Sequence, residues 1–195
     1  MLSTILGSTP NGTRLLALAL VFAVSQSTSY AVGNDIAKIR NSKITTIVIH
    51  AIGGPRCTNN KVEFTGAPGD AKRWIDYFEK NENVSIHYVI DREGKVEAGI
   101  DENKVAWHAK GKNANSIGIE LVNNGDGQEE YPAEQVEALV NLVKELRRKY
   151  QSITNIVRHS DVDNSTFPCG GRNVARKQDP GPKFPFDEFL ASVGL

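Results

Sequence analysis

Apolar and polar residues follow two different periods along this chain. The stretch ITTIVIHAI, from Ile44 to Ile52, is β-branched and almost wholly apolar, and it predicts a buried strand that ends near His50. SIGIELV, which begins at Ser116, predicts a second short strand. ITNIVRH predicts a third strand, which ends at His159. VSIHYVIDREGKVEAGI predicts a hairpin, because a Glu-Gly turn separates two strand-like halves.

A period near 3.6 residues marks the helices. Apolar residues at helical spacing predict a helix from Asp70 to Glu79 and a long one in AEQVEALVNLVKELRRKY, directly after Pro132. FDEFLASVGL predicts a short closing helix, whereas the segment that follows His50 and the stretch from Ser160 to Pro185 are expected to be irregular. Strands mixed with helices of this length, without internal repeats, predict a single α/β domain with a central mixed β-sheet flanked by helices.

The N-terminus differs in kind from the rest of the chain. Arg14 precedes the uncharged run LLALALVFAV, and small residues follow at Ser29 and Ala31. This is the pattern of a secretory signal peptide, and the run is about half as long as the ~20 apolar residues of a spanning helix. We expect residues 1–31 to be a signal peptide and residues 32–195 to form a periplasmic or secreted domain without stable membrane insertion; the alternative is an uncleaved anchor.

Charge and cysteine content narrow the function classes. Lys+Arg and Asp+Glu number 23 each, so the formal net charge is zero and no basic excess indicates a nucleic-acid partner. The chain has two cysteines, Cys57 and Cys169. An exported protein can keep a disulfide, but the sequence does not show whether the two Cα atoms are close enough. A bridge, two free thiols and a cysteine nucleophile therefore all stay open.

Histidines at strand ends are the first candidates for chemistry. The chain has four histidines, and His50 and His159 end two predicted strands, where sites are often built in α/β folds. Asp179 lies in a loop shortly after His159. Two histidines and one carboxylate are a typical ligand set for catalytic zinc, with the fourth position left for water. The spacing alone does not establish this set, because the three residues are far apart in sequence.

Five blocks, in order, carry a resemblance to a known family. They are TTIVIHAI, SIHYVIDREGKV, VAWHAKGKNANSIGIELVN, IVRHSDV and ARKQDPG, and they run from about Lys43 to Gly181. In these blocks the chain resembles the type 2 family of zinc-dependent N-acetylmuramoyl-L-alanine amidases, which shares its fold with peptidoglycan recognition proteins. The resemblance implies that fold and one Zn²⁺ per chain, bound by His50, His159 and Asp179.

The resemblance also implies two catalytic residues, Glu120 and Lys177. Zinc lowers the pKa of bound water to about 7, and a carboxylate beside that water can take its proton and pass it to the leaving amine. Glu120 ends the predicted strand SIGIE, as this role requires. Negative charge grows on the carbonyl oxygen during attack, and the Lys177 ammonium would stabilise it. Lys177 and Asp179 share a face if their loop is extended.

Four residues are expected to contact the substrate. The resemblance places Trp107 and His108 near the cleft, and Tyr88 and Asn123 are further candidates. For Tyr88 and its neighbour His87, packing and lining of the site both stay open, since adjacent strand residues point to opposite faces.

Near the expected zinc ligands, one pair of residues could hold His159 in place, and another pair differs from the family pattern. Arg158 and Asp161 flank His159 and are candidates to hold it in place. Ala51 and Ile52 stand where the family usually has the second residue of a His-aromatic or His-His pair and then Thr, so the substrate-facing detail of this loop is expected to differ.

The sequence therefore predicts an enzyme. The expected reaction is hydrolysis of the amide bond between the lactyl group of N-acetylmuramic acid and L-alanine, in peptidoglycan or muropeptides, by a monomer. The alternative is a non-catalytic peptidoglycan-binding module of the same fold. A third hypothesis is an unrelated Cys-His hydrolase that uses Cys57 or Cys169.

Overall fold

The structure, a computed structural model, describes residues 38–195. The signal peptide expected at residues 1–31 lies outside this range. Within it, no helix combines the length and the apolar character that crossing a membrane requires. The elements, in chain order, are β1 (Thr46–Ala51), β2 (Pro55–Thr58), β3 (Lys61–Phe64), α1 (Ala71–Lys80), β4 (Tyr88–Ile90), β5 (Val96–Ala98), β6 (Ser116–Leu121), α2 (Ala133–Lys149), β7 (Asn155–Arg158), α3 (His159–Val162), β8 (Thr166–Cys169), β9 (Arg172–Ala175) and α4 (Phe186–Ser192).

Five strands of the described range form one mixed sheet in the order β5-β4-β6-β1-β7. β4, β6, β1 and β7 are parallel, and β5 pairs antiparallel with β4 as the hairpin pattern predicts. The prediction of a central mixed sheet with helices packed on it is confirmed. Because the ends of the parallel strands meet at one edge, side chains far apart in sequence are brought together there.

Side chains alternate between the two faces of the sheet along each strand, and the two faces differ in character. Ile47 and Ile49 of β1 and Ile117 and Ile119 of β6 are fully buried in the main core. That core also contains the apolar side of α2 and residues of α4, including Phe189. Successive strand residues point to opposite faces, so the residues between these isoleucines lie on the other side of the sheet.

The second face is only partly covered by a helix. α1 begins after Asp70, whose side chain accepts a hydrogen bond from the Arg73 N–H at 2.9 Å and so caps the helix. Ile75 and Phe78 of α1 pack in a smaller core with Val89 of β4. The rest of this face carries histidines and other polar side chains, and it is here that the candidate site is built.

Two segments expected to be irregular contain short antiparallel hairpins, so that expectation is wrong in these places. β2 pairs with β3, and β8 pairs with β9. Neither hairpin joins the central sheet, and their short strands lack a continuous apolar face, which explains the weak sequence signal. A disulfide joins Cys57 to Cys169, with Cα atoms 5.6 Å apart, so the open question of a bridge is answered and neither thiol is free to act as a nucleophile.

Candidate metal centre and active site

Strand register brings the first two candidate residues side by side. β1 and β6 are parallel neighbours, and His50 pairs with Glu120 near the ends of both strands. β7 lies on the other side of β1, and the chain turns from its last residue, Arg158, directly into α3. His159 is therefore the first residue of α3, one position beyond the end of β7, whereas the sequence predicts that the strand ends at His159. It lies at the same edge as His50.

The loop that carries Asp179 is tied to this edge by hydrogen bonds. The Asp179 carbonyl accepts from the Ser160 N–H at 3.0 Å, and its Oδ2 lies 3.4 Å from the Ala51 N–H. The Tyr131 hydroxyl donates to the Pro180 carbonyl at 2.7 Å, in a buried position at the start of α2. These contacts hold the carboxylate next to the two histidines.

The structure brings together three buried atoms that could bind a metal, from the residues that the resemblance implies as ligands. His50 Nδ1 lies 2.8 Å from His159 Nδ1, and Asp179 Oδ2 lies 2.9 Å from His159 Nδ1 and 3.5 Å from His50 Nδ1. Ligand atoms at about 2.0–2.2 Å from a tetrahedral zinc ion are roughly 3.3–3.6 Å apart. The separation of 3.5 Å matches this spacing, whereas those of 2.8 and 2.9 Å are shorter, so the group would widen slightly around a bound ion. The two nitrogens and one carboxylate oxygen are also the donor types that zinc prefers, and the residues present therefore fit the metal.

The pKa values of the group suit metal binding. Burial lowers the pKa of His50 to about 4, although Asp179 beside it acts in the opposite direction. Burial alone would raise the pKa of Asp179, but the hydrogen bond with His159 and the proximity of His50 bring it below its usual range. A neutral imidazole and an ionised carboxylate are the forms that bind a metal cation, so neither group has to lose a proton near neutral pH.

Glu120 lies beside this group with an unsatisfied carboxylate oxygen. Its Oε2 is buried and has no hydrogen-bond partner within residues 38–195. Burial, and then the charge of Asp179, raises the pKa of Glu120 to about 8, while Lys177 lowers it in part. A carboxyl group with a pKa near neutral and a free oxygen is suited to accept and return a proton.

Lys177 is half-buried and lies near both Glu120 and His50. Its charge contributes to lowering the pKa of each of them. In the part of the chain that the structure describes, no carboxylate lies within 4.0 Å of its ammonium. The cation therefore reaches the site electrostatically without being neutralised in an ion pair.

The four expected substrate contacts are placed differently from one another. Trp107 is 57% exposed, and its backbone N–H donates to the Ser85 hydroxyl at 2.8 Å. Asn123 is buried, and its Oδ1 accepts from the Gly125 N–H at 2.9 Å. Neither makes a hydrogen bond to the metal-binding group among the contacts of the described range, so their substrate roles stay predictions.

Tyr88 and His108 have defined partners within the protein. Tyr88 packs against the main core, and its hydroxyl donates to Glu102, at the edge where the parallel strands begin. The structure therefore does not bring Tyr88 to the metal-binding group, and its contact with substrate also stays a prediction. His108, by contrast, lies directly behind a ligand, with Nδ1 2.9 Å from His50 Nε2.

Supporting residues include two that the sequence suggested. Arg158 and Asp161 bond to each other, with the Arg158 N–H donating to Asp161 Oδ2 at 3.0 Å, and this pair caps the helix that begins at His159. His87 is fully buried and accepts the Gly118 N–H on its Nδ1 at 3.0 Å. The contact between His108 and His50 was missed at the level of sequence, because no spacing rule connects residues that meet only across the sheet.

Comparisons with known proteins identify the family of this chain. The family model described as N-acetylmuramoyl-L-alanine amidase matches residues 40–182. An endolysin of Enterobacteria phage T3 is 38% identical over 100 residues, which are 49% of this chain and 60% of that protein. The 1,6-anhydro-N-acetylmuramyl-L-alanine amidase AmpD of Haemophilus influenzae is 31% identical over 120 residues, 56% of this chain and 59% of that protein. The chain thus spans about 60% of the length of the curated relatives it matches.

Solved structures of amidases and related proteins also resemble this chain. The N-acetylmuramoyl-L-alanine amidase LysC from Clostridium intestinale superposes with a TM-score of 0.58 and 28% identity, over 78% of this chain and 87% of that one. Drosophila peptidoglycan recognition protein SD, at 18% identity and a TM-score of 0.52 over 68% of this chain and 79% of that one, shows the shared fold alone. Because the family model matches most of its length, the chain belongs to the N-acetylmuramoyl-L-alanine amidase family.

Proposed function

We propose that this protein hydrolyses the amide bond between N-acetylmuramic acid and L-alanine in peptidoglycan or its muropeptide fragments. Family membership supports the reaction type, and the N-acetylmuramyl-L-alanine group in the name of the AmpD relative supports the substrate class. The single observation that carries the proposal is the unsatisfied Glu120 carboxylate beside the converging ligand atoms of His50, His159 and Asp179.

Zinc is the cofactor that the donor set fits best. One Zn²⁺ held by His50, His159 and Asp179 would supply a Lewis acid that makes a water molecule nucleophilic at neutral pH. Because all three ligand residues are buried, the protein also restricts the access of bulk water to this position.

Glu120 would move the proton. As the water oxygen forms a bond to the lactyl carbonyl carbon, the Glu120 carboxylate takes a proton from that water. It then donates the proton to the nitrogen of L-alanine when the carbon–nitrogen bond breaks. The second proton of the water leaves when the new carboxyl group ionises and is taken up by the released amine, so the products are the lactyl carboxylate and a stem peptide with a free, protonated amino terminus. Without a metal, burial raises the pKa of Glu120 to about 8, and the charge of a bound Zn²⁺ would lower it toward neutral pH, where the ionised form can accept the proton.

Lys177 would stabilise charge in the transition state. Negative charge develops on the carbonyl oxygen during attack, and an ammonium fixed near that oxygen lowers the energy of the transition state more than that of the bound substrate. Lys177 follows β9, and Asp179 lies two residues further along the same tied loop. The same short segment would therefore supply one metal ligand and the oxyanion-stabilising charge.

We further propose that the protein works outside the cytoplasm. The N-terminal pattern described above supports export, and so does the bridge between Cys57 and Cys169, since disulfides persist in oxidising compartments. Peptidoglycan lies in the compartment that an exported protein reaches.

The test is an assay on purified peptidoglycan sacculi with the full-length chain. The protein is incubated with and without a zinc chelator, and new ends are identified by mass spectrometry. We expect free stem peptides that begin with L-alanine, loss of this product with the chelator and recovery with added zinc. Binding to sacculi without any release, at any zinc concentration, would instead support the non-catalytic binding module.

A further inference from the structure

His108 occupies a fixed place behind the metal-binding group, with both ring nitrogens already engaged. Its Nδ1 lies 2.9 Å from His50 Nε2, and its Nε2 lies 3.1 Å from the Ser116 hydroxyl. The ring packs directly against β6, where a Cβ added to Gly118 would lie 2.6 Å from the imidazole. The Asn113 side chain accepts the His108 N–H at 3.0 Å and so holds the backbone of this residue. These contacts leave the ring no free nitrogen for a substrate.

The hydrogen bond that Ser116 donates determines which nitrogen of the His108 ring carries the proton. The Ser116 hydroxyl donates to the Lys112 carbonyl at 2.8 Å, and a carbonyl oxygen has no proton to give in return. The single hydroxyl proton is therefore used, and Ser116 Oγ can only accept from His108. His108 Nε2 must carry the proton, and the Nδ1 of a neutral His108 ring is then a bare acceptor.

The metal-binding role of His50 requires the same proton positions, for a separate reason. His50 Nδ1 converges with His159 Nδ1 and Asp179 Oδ2, so it must be bare to bind a metal. A neutral His50 then carries its proton on Nε2, which points at His108. Both arguments thus place an N–H donor on His50 and an acceptor on His108. Each hydrogen bond from His50 through His108 and Ser116 to the Lys112 carbonyl then has one donor and one acceptor.

We infer that His108 is a positioning residue for the metal site: by accepting the His50 Nε2–H, it fixes the tautomer and ring orientation that leave His50 Nδ1 free to bind zinc. Ser116 completes the arrangement by fixing the tautomer of His108. Outer partners of metal-binding histidines are commonly carboxylates, carbonyl groups or water, and here a second histidine takes that place. The inference rests on the proposed zinc-dependent function, but its tests do not depend on amidase turnover.

The first test is ¹⁵N NMR of the histidine ring nitrogens in the full chain, without metal and with one equivalent of Zn²⁺. We expect protonated Nε2 and bare Nδ1 signals for His108 in both states, and a protonated Nε2 for zinc-bound His50. A protonated Nδ1 on His108, or a bare Nε2 on zinc-bound His50, would overturn the inference.

The second test is zinc affinity, measured by competition with a chelator of known affinity. His108→Leu removes the acceptor at similar volume and should weaken zinc binding by about 10- to 100-fold, as loss of an outer partner typically does. His108→Asn retains an acceptor oxygen near the Nδ1 position and should restore most of the affinity. Ser116→Ala, which removes only the outer acceptor, should cause a smaller loss. Equal affinity in wild type and His108→Leu would overturn the inference.

A matched control separates positioning from general packing. His87 is another buried histidine on the same face, with hydrogen-bond partners that exclude the three ligand residues among the contacts of residues 38–195. His87→Leu should lower thermal stability and leave zinc affinity unchanged, and an equal loss of zinc affinity in both leucine variants would assign the effect to packing and overturn the inference. If wild type binds no zinc, the proposed function fails instead, and the two failures are distinguishable.

Discussion

Two buried carboxylates at opposite edges of the same sheet differ in how their oxygens are used. Glu102, at the edge where the parallel strands begin, is 8% exposed and accepts hydrogen bonds from Tyr88, Lys149 and Tyr150. Burial alone would raise the pKa of Glu102, but these three bonds lower it. Glu120, at the other edge, has a buried oxygen without a partner in the described range, and its pKa is raised to about 8.

From this difference we expect Glu102 to serve stability and Glu120 to serve the proposed reaction. An unsatisfied buried polar group costs roughly 1–3 kcal/mol, so a folded protein keeps one where it has a use. Glu102 connects the end of α2 to the loop after β5, and its oxygens are saturated. The Glu120 oxygen without a partner in residues 38–195 is the one to which we assign the proton transfer. The predictions below test this contrast.

The largest effect is expected at Glu120. Glu120→Gln keeps the shape of the side chain but cannot take a proton, and general acid–base catalysis is worth about 10²- to 10⁴-fold. We expect kcat for stem-peptide release to fall by that factor while zinc affinity changes little. Steady-state assays on sacculi and chelator competition measure the two quantities. Full activity in this variant would remove Glu120 from the mechanism.

Lys177 is expected to give the next largest effect, with Lys149 as the matched control. Lys177→Met removes the charge near the oxyanion and should lower kcat by about 10²- to 10³-fold with a smaller change in KM. Lys149→Met removes the cation that pairs with Glu102 and should leave kcat unchanged. A loss of activity that appears only in KM would show that Lys177 binds the substrate rather than the transition state.

Glu102→Gln should affect stability instead of activity. The substitution weakens charge-assisted hydrogen bonds from three partners, and we expect the free energy of unfolding to fall by about 1–3 kcal/mol. Denaturant unfolding measures this value, and the activity per folded molecule should match wild type. A drop in kcat without a drop in stability would contradict the structural role of Glu102.

The smallest expected effect is a difference in the pH dependence of metal-free stability. The pKa of Glu120 is raised from 4.5 to about 8, so between these values the folded state holds a proton that the unfolded state lacks. The stability that this group contributes is therefore present at low pH and lost as the pH rises through about 8. Glu102 has the opposite sign, because its pKa is lowered and its contribution is lost in acid.

Denaturant unfolding of the metal-free proteins across this pH range checks both signs. The stability of wild type relative to Glu120→Gln should decrease toward alkaline pH. The stability of wild type relative to Glu102→Gln should decrease toward acid pH, below about 4.5. Parallel curves for the two variants would show that the two carboxylates are equivalent in the folded protein.

Much of the fold was predictable because its signals are local. The buried run around His50 and the apolar spacing of α2 appear in the sequence and in the structure at nearly the same residues. The two hairpins held by the Cys57–Cys169 bridge were not predictable, because their short strands lack a continuous apolar face and are joined across 112 residues. Such pairing depends on contacts that no local window contains.

The candidate site divides in the same way. The sequence by itself determined the donor types, the strand ends that carry His50 and Glu120, and the family blocks that single out Asp179 and Lys177. Only the tertiary structure decided that the candidate ligand atoms converge, that the Glu120 oxygen has no partner among residues 38–195 and that His108 lies behind His50. The physical reason is that residue chemistry and periodicity are properties of short segments, whereas distances, burial and the partners of a proton are set by strand register and by loops that pack across the sheet edge.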